Sequence, residues 1–397
     1  MIPARPVAVT GIGCLSAAGP DLASSIGSML RGERHPGPAT RFATGHPAPH
    51  PVFEVPDRFI PQDYLGRTGL TLTAVLALAA ARDALAEAGL GGGGGARFGV
   101  CVGTTVGTAL NSEEFYREYR GGGRPPIDSI ERYLRSNPAD VVAAEFGFHG
   151  PRQTVVNACS SGTDAIGIAA GWIRAGWCDA VLAGGADELC RTTQNGFISL
   201  MIADTEACRP FDAGRRGLNL GEGAAFLLLE SDEFRRRRGR PARAFVLGYG
   251  TAADAHHLTA PHPEGRGLRS AVGDALARSG LAPGEIAFVN AHGTGTPDND
   301  RVEGRVLADL LPGVPFLSTK GFTGHTLGAA GAIEAAFTAA MLADRRIPAG
   351  AGFSTLDPGI GVAPVSAITP VAGNAALSDS LAFGGSNAAI VLARGEA

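Results

Sequence analysis

The sequence predicts an α/β fold in which one α/β unit occurs twice, and three observations carry that prediction. Short β-branched runs alternate with Ala/Leu-rich stretches, the pattern of helices packed on a largely parallel sheet. The two parts of the chain echo one another. Each opens on an apolar strand ending in glycine (VAVTGIG, FVLGYG), and each closes on a hydrophobic strand (AAFLLLE, AAIVLAR). Between these, each part holds a strand, a small polar turn and an Ala/Gly-rich helix (VVNACSSGTDAIGIAAGWI, FLSTKGFTGHTLGAAGAIEAAFTAAM).

In order along the chain, apolar and β-branched runs bounded by glycine or polar residues predict strands at 7–11, 98–103, 153–157, 180–184 and 224–230. The second part supplies strands at 244–248, 286–291, 315–318 and 388–392. Helices are predicted near 69–88, 163–175, 267–279, 300–310 and 328–342. Two of these, around 163–175 and 328–340, are rich in alanine and glycine on all sides, as expected for helices sandwiched between two sheets. The run 91–95 is all glycine and reads as a flexible loop. The arginine run 235–238 reads as a solvated surface between the units, dividing the chain into 1–240 and 241–397.

With 45% hydrophobic and 18% charged residues and a net charge of −4, the chain reads as a soluble cytoplasmic protein with length enough for two cores. No strongly basic face is implied, which argues against nucleic acid as a partner. The residues before the first strand include no long hydrophobic run, and no later stretch is expected to span a membrane. The six cysteines form no CxxC pair, so they read as free, core-packing thiols and support neither a zinc site nor a disulfide framework. Of the 34 lysines and arginines only Lys320 is lysine. A compact ammonium whose charge responds to burial suits a site that needs a point charge at close quarters.

Three segments carry chemistry. Cys159 lies in NACSSGT, where a strand ends and a helix begins, so unpaired backbone N–H groups and the positive end of the helix would favour thiolate. A small buried residue at a tight turn would look the same. His292 ends a strand in NAHGTGTP, followed by the hydroxyls of Thr294 and Thr296, as a polar ligand site needs. Lys320 and His325 occupy a third such turn, STKGFTGH.

Taken together, NACSSG, AHGTGTP, STK-x-x-TGH-x-LGAAG-x-x-E and AFGGSN, in this order, resemble the β-ketoacyl-acyl-carrier-protein synthases of the thiolase superfamily over essentially the whole chain. They favour the elongating branch that joins one cysteine to two histidines. The resemblance implies a thiolase fold, a five-layered αβαβα sandwich of duplicated halves. It also implies that Cys159 takes an acyl group from a phosphopantetheine arm, and that His292 and His325 stabilise the enolate formed when malonyl-carrier protein loses carbon dioxide. The backbone N–H groups of Cys159 and Phe383 would form the oxyanion hole, and Thr259, Thr294 and Thr296 would contact pantetheine. Lys320 matches the family's active-site lysine, with Glu303 as its ion-pair partner. Arg67 and Arg209 match positions that receive the acyl carrier protein. No cofactor is required beyond the arm that the carrier brings, and a structural monovalent cation would be held by Asn290, Glu334, Ser378 and Asp379.

The chain departs from the family in three places. Ala382 replaces a glycine beside the gating Phe383, restricting the backbone where acyl entry needs movement. Ser112 falls where fatty-acid enzymes carry a bulkier apolar residue, which implies room for a longer, rigid or more polar chain. Asp379 replaces an asparagine. The resemblance therefore implies either fatty-acid elongation or a ketosynthase subunit of a type II polyketide or aryl-polyene system. The working unit would be a homodimer, or a heterodimer with a chain-length factor.

Three other readings fit less well. A chain-length factor itself would lack the nucleophile, and a thiolase would use a second cysteine late in the chain, where none follows Cys208. The opening VAVTGIGCLS resembles a dinucleotide-binding start, but its third glycine is Ser16 and no acidic residue ends a second strand at the proper distance.

Overall fold

The structure is a computed structural model that describes residues 4–91, 96–105 and 112–396. Of the expected glycine loop, 92–95 lie outside the described residues. In chain order the strands are β1 (Val7–Ser16), β2 (Phe98–Gly103), β3 (Arg152–Val155), β4 (Ala180–Asp187), β5 (Gly223–Glu230) and β6 (Ala244–Ala253). They continue as β7 (Ile286–Asn290), β8 (Phe316–Leu317), β9 (Arg346–Ile347), β10 (Thr369–Pro370), β11 (Ala375–Leu381) and β12 (Ser386–Arg394). The helices of the first part are α1 (Leu22–Leu30), α2 (Gln62–Leu65), α3 (Leu72–Glu87), α4 (Glu113–Arg120), α5 (Asp128–Arg135), α6 (Pro138–Phe146), α7 (Ser161–Arg174), α8 (Arg191–Ser199) and α9 (Asp232–Arg237). Those of the second are α10 (Arg266–Ser279), α11 (Pro297–Leu310), α12 (Lys320–Thr323) and α13 (Ala330–Asp344).

The main sheet runs β3-β2-β4-β5-β1-β6-β12-β11-β7-β8. Its first five strands come from the first unit and its last five from the second. Within the sheet the halves join where Val7–Val9 of β1 pair with Ala244–Val246 of β6, whereas β1 and β5 pair along almost their full length. This corner lets the two halves fold over a common middle layer. Helices α7 and α13 fill that layer and touch strands of both halves, α3 and α6 cover the outer face of the first half, and α10 and α11 cover that of the second. The result is the five-layered αβαβα sandwich of the thiolase fold.

The middle layer explains the composition of its helices. A Cβ on Gly162 of α7 would lie 2.6 Å from the backbone nitrogen of Ala332, and one on Gly331 of α13 would lie 2.0 Å from Thr163 Oγ1. Only glycine allows these backbones so close together. The segment Leu327–Asp344 is long and apolar enough to cross a membrane, contrary to expectation, but it is 83% buried inside this layer.

Several expectations are revised. β1 continues through GIGCLS as strand, with Gly11 and Gly13 against α3, where a Cβ would meet Ala84 O at 2.0 Å and Ala80 O at 1.9 Å. These glycines serve helix–strand packing, not a phosphate-binding turn. β11 was not anticipated because AALSDSL reads as polar, yet every residue of it is buried. α4 and α5 were not anticipated either, since their strongly charged sequences bury no residue. The arginine run is only partly solvated: Arg235 is buried against Glu396 and Asp232, and Arg238 pairs with Glu230. All six cysteines are free and buried.

Candidate active site

The strand-to-helix turns that carry Cys159 and His292, together with the turn before α13 that carries His325, converge on one cavity of about 320 Å³, which Phe383, Thr259, Thr294 and Thr296 also line. Cys159 follows β3 on a turn in which Ala158 takes a left-handed φ of 47°, and α7 begins two residues later. Such a turn lifts the sulfur out of the strand line to face the cavity. Asp164, in the first turn of α7, holds it in place by accepting from Asn157 Nδ2 (2.6 Å), Ser160 Oγ (2.8 Å) and Tyr249 OH (2.7 Å). Ser386 Oγ donates to Asn157 Oδ1 at 2.8 Å, linking this turn to the loop that begins at Phe383.

The Phe383 N–H lies on the side of the Cys159 sulfur and favours its charged form, as does the charge of Lys320. Even so, burial pushes the Cys159 thiol up to about 11, against the lowering influences of Lys320 and that N–H. The thiolate expected from the helix start is therefore not the resting form, because desolvation outweighs the nearby positive charge.

Lys320 is buried at the start of α12. Its ammonium donates to Glu334 Oε1 and lies 3.0 Å from His292 Nδ1. This corrects the expected partner. Glu303 is instead used up by backbone and amide donors: Oε1 accepts from the His292 N–H (2.6 Å), and Oε2 accepts from the Gly293 N–H (2.8 Å) and Asn299 Nδ2 (2.9 Å). Glu334 reaches the lysine from α13, one layer inward, a juxtaposition that separation along the chain does not reveal.

An ammonium has only protons to give, so Nδ1 of His292 must accept and Nε2 must carry the ring proton. His325 arrives at the same tautomer by a different route, because its Nδ1 accepts from the Leu327 N–H at 3.1 Å. Burial first, and then the charge of Lys320, holds both imidazoles well below the ordinary histidine range. Two neutral rings, 5.1 Å apart and nearly perpendicular, thus act as N–H donors. That is the equipment for holding a negative oxygen.

Around the mouth, Phe383 stacks on Phe197 with centroids 5.5 Å apart. Ala382 lies at φ −128°, ψ 152°, an extended conformation that alanine adopts without strain. Thr294 and Thr296 share a hydroxyl hydrogen bond of 2.8 Å, while Thr259 is exposed and donates its N–H to His257 Nδ1. Ser112 is buried ahead of α4, beside residues 106–111, which lie outside the described residues. Neither candidate docking arginine is free: Arg67 makes a bidentate pair with Glu145, and Arg209 pairs with Glu206.

The candidate cation ligands can be tested on their own oxygens. Ser378 Oγ, Asp379 Oδ2 and Glu334 Oε2 are buried without a hydrogen-bond partner, and Asn290 lies among them with its amide nitrogen on Glu334 O and Thr338 Oγ1. Orphaned oxygens of this kind fit a hard cation. Among the described residues no group of three or more His, Cys, Asp or Glu is placed to hold a metal, so only two carboxylates would share that ion with neutral oxygens.

Sequence reasoning missed Asp164, Asn157 and Ser386, and also Asp187. The last accepts from Thr104 Oγ1, from both donors of Thr105 and from the Gly328 N–H, and so joins β4 to the turn before α13. Asn157 and Ser386 lie inside the NACSSG and AFGGSN segments, and an aspartate in the first turn of α7 was a further legible signal.

Comparison with known proteins places this geometry in context. Residues 4–234 match the family described as β-ketoacyl synthase, N-terminal domain, and residues 243–354 match its C-terminal domain. The 3-oxoacyl-[acyl-carrier-protein] synthase 2 of Staphylococcus aureus strain N315 is 32% identical over 412 residues, covering 99% of both chains. Among solved structures, the ishigamide ketosynthase/chain length factor superposes with a TM-score of 0.90 at 30% identity, covering 98% of this chain and 99% of that one. A type II polyketide synthase acyl-carrier protein in complex with its ketosynthase, bound to the hexaketide, matches with a TM-score of 0.88 at 26% identity, covering 98% and 99%.

Proposed function

Because the chain belongs to the β-ketoacyl synthase family, we propose that it extends acyl chains by decarboxylative condensation at Cys159, with His292 and His325 as the enolate-holding pair. The observation that supports this reading is the pair of neutral imidazoles, each with Nδ1 occupied and Nε2–H left to donate, in one cavity with the cysteine.

In the first half-reaction the Cys159 sulfur attacks the thioester of an acyl-carrier protein. The new C–S bond replaces the one to pantetheine, and the thiol proton passes to the departing sulfur. In the second, malonyl-carrier protein breaks its bond to the carboxylate. Carbon dioxide leaves, and the electron pair moves onto the thioester oxygen as an enolate held by His292 and His325. The enolate carbon then attacks the Cys159 thioester, whose oxyanion is held by the N–H groups of Cys159 and Phe383. Its C–S bond breaks, the freed cysteine sulfur takes up a proton, and the product leaves as a β-ketoacyl thioester two carbons longer.

Lys320 contributes as a positioning charge, fixing the His292 tautomer while Glu334 balances it. No cofactor enters these steps. A monovalent cation on Ser378, Asp379, Glu334 and Asn290 would supply only charge balance beneath the His292 turn.

The working unit is a dimer formed along β3. This strand is one end of the main sheet, Val156 just beyond it is 66% exposed, and α4 and α5 leave Tyr116, Tyr119, Tyr133 and Leu134 uncovered. An open sheet edge with exposed hydrocarbon is a pairing surface. The similarity to a ketosynthase with its chain length factor supports a partner of this same fold, either a second copy or such a factor.

Intact-mass analysis after incubation with acyl-carrier proteins tests the reading. One acyl mass should appear and be lost in Cys159→Ala. His292→Ala should still acylate but release no carbon dioxide from malonyl-carrier protein. Acylation that survives in Cys159→Ala would rule the assignment out.

A further inference from the structure

Three apolar side chains stand uncovered at the lip of the Cys159 cavity. Met201 is 87% exposed, Leu258 79% and Leu200 47%. Single exposed apolar residues call for no explanation, but a cluster at the entrance of a site marks an interaction surface. Leu200 and Met201 border the cavity on one side, and Leu258 directly precedes Thr259 and Ala260 of the wall. The backbone turns sharply at both segments. Met201 follows α8 with a φ of 59°, and Ala255 begins the turn toward Leu258 with a φ of 48°. The Leu258 carbonyl accepts from the Gly384 N–H at 2.8 Å, so its place is tied to the loop of Phe383.

The charged side chains of this region are already matched. Arg209 pairs with Glu206, Arg216 with Asp204 and Glu206, and Arg301 with Asp298. Arg67 is likewise held by Glu145.

We infer that Leu200, Met201 and Leu258 form an apolar seat for the carrier protein, so that docking on this chain depends on hydrocarbon contact at the lip more than on arginine pairing. The inference rests on the ketosynthase reading. A pantetheine arm must pass this lip to bring its thioester to Cys159, so the protein that bears the arm covers the lip whenever the thioester reaches the sulfur. The matching partner is a carrier protein with apolar side chains beside the serine that bears its arm. Burying such contacts depends little on salt, whereas docking on exposed charges weakens as screening grows.

The test compares acylation of Cys159 by octanoyl-carrier protein with acylation by octanoyl-pantetheine, in wild type, Met201→Glu and Leu258→Glu. Both positions are too exposed for the substitutions to disturb the core. The apparent KM for the carrier-borne substrate should rise about tenfold or more in each variant, while kcat/KM for octanoyl-pantetheine stays within about twofold. The wild-type KM for the carrier should change less than about threefold between about 50 and about 500 mM salt. An unchanged carrier KM in both variants, an equal loss with both substrates, or a steep salt dependence in the wild type would each overturn the apolar seat. A wild-type protein that is acylated by neither substrate would instead overturn the ketosynthase reading beneath it.

Discussion

At Lys320 the choice of ammonium over guanidinium follows from what surrounds it. A single compact donor must reach both Glu334 Oε1 and His292 Nδ1 inside a buried pocket, where a planar fork of five donors would leave several N–H groups unpaired. Lys320→Arg should therefore lower condensation at least about 100-fold, with melting temperature and Cys159 acylation affected far less; equal condensation rates in a purified variant would contradict the positioning role. Cys159 offers a separate reading of its surroundings. Because burial raises its thiol to about 11, the thiolate fraction grows about tenfold per pH unit at any pH below that value. The rate of iodoacetamide modification should climb on that slope from about pH 7 to about pH 9 without a plateau, and a plateau near 7 would show that the helix start prevails over desolvation.

Helices α7 and α13 carry the burden at the level of elements. They must lie close enough together to bring Cys159, from one unit, against His325 and Lys320, from the other. Gly162 and Gly331 set that distance. Gly331→Val would drive its side chain into Thr163 Oγ1, and the unfolding free energy from urea titration should fall by about 3 kcal/mol, with acylation lost as the layer spreads. The same tightness shows why β11 escaped notice in the sequence. Ser378, Asp379 and Ser380 look like turn residues, yet they face the middle layer and the His292 turn, where their oxygens are needed. Polar residues in a buried strand break the alternation that makes strands readable.

For the whole molecule, two exposed apolar features stand out among the described residues: the β3 edge with α4 and α5, and the lip of the cavity formed by Leu200, Met201 and Leu258. The first is the edge along which the proposed dimer would pair. On the proposed dimer, Val156→Asp places a charge beside the open edge, and light scattering should find the variant largely monomeric under conditions where the wild type, alone or with an added partner subunit, has the mass of a dimer; an unaltered dimer mass would move the interface elsewhere. On the proposed function the lip would receive a visitor and not a permanent partner, since it must be free for each arm that enters.

The sequence by itself determined the duplicated α/β plan and the two Ala/Gly-rich central helices, and it singled out Cys159, His292, His325 and Lys320, which the structure brings together. Each of these leaves a local mark: a period, a repeated order, or a residue at the end of a strand. Tertiary structure alone decided that Glu334 and not Glu303 answers the lysine, that Asp164 and Ser386 brace the nucleophile turn, and that burial keeps Cys159 a thiol. Those outcomes depend on which side chains from distant segments share a low-dielectric interior. Distance along the chain says nothing of that, because the layers bring together residues as near in sequence as Lys320 and Glu334 and as far apart as Asn157 and Ser386.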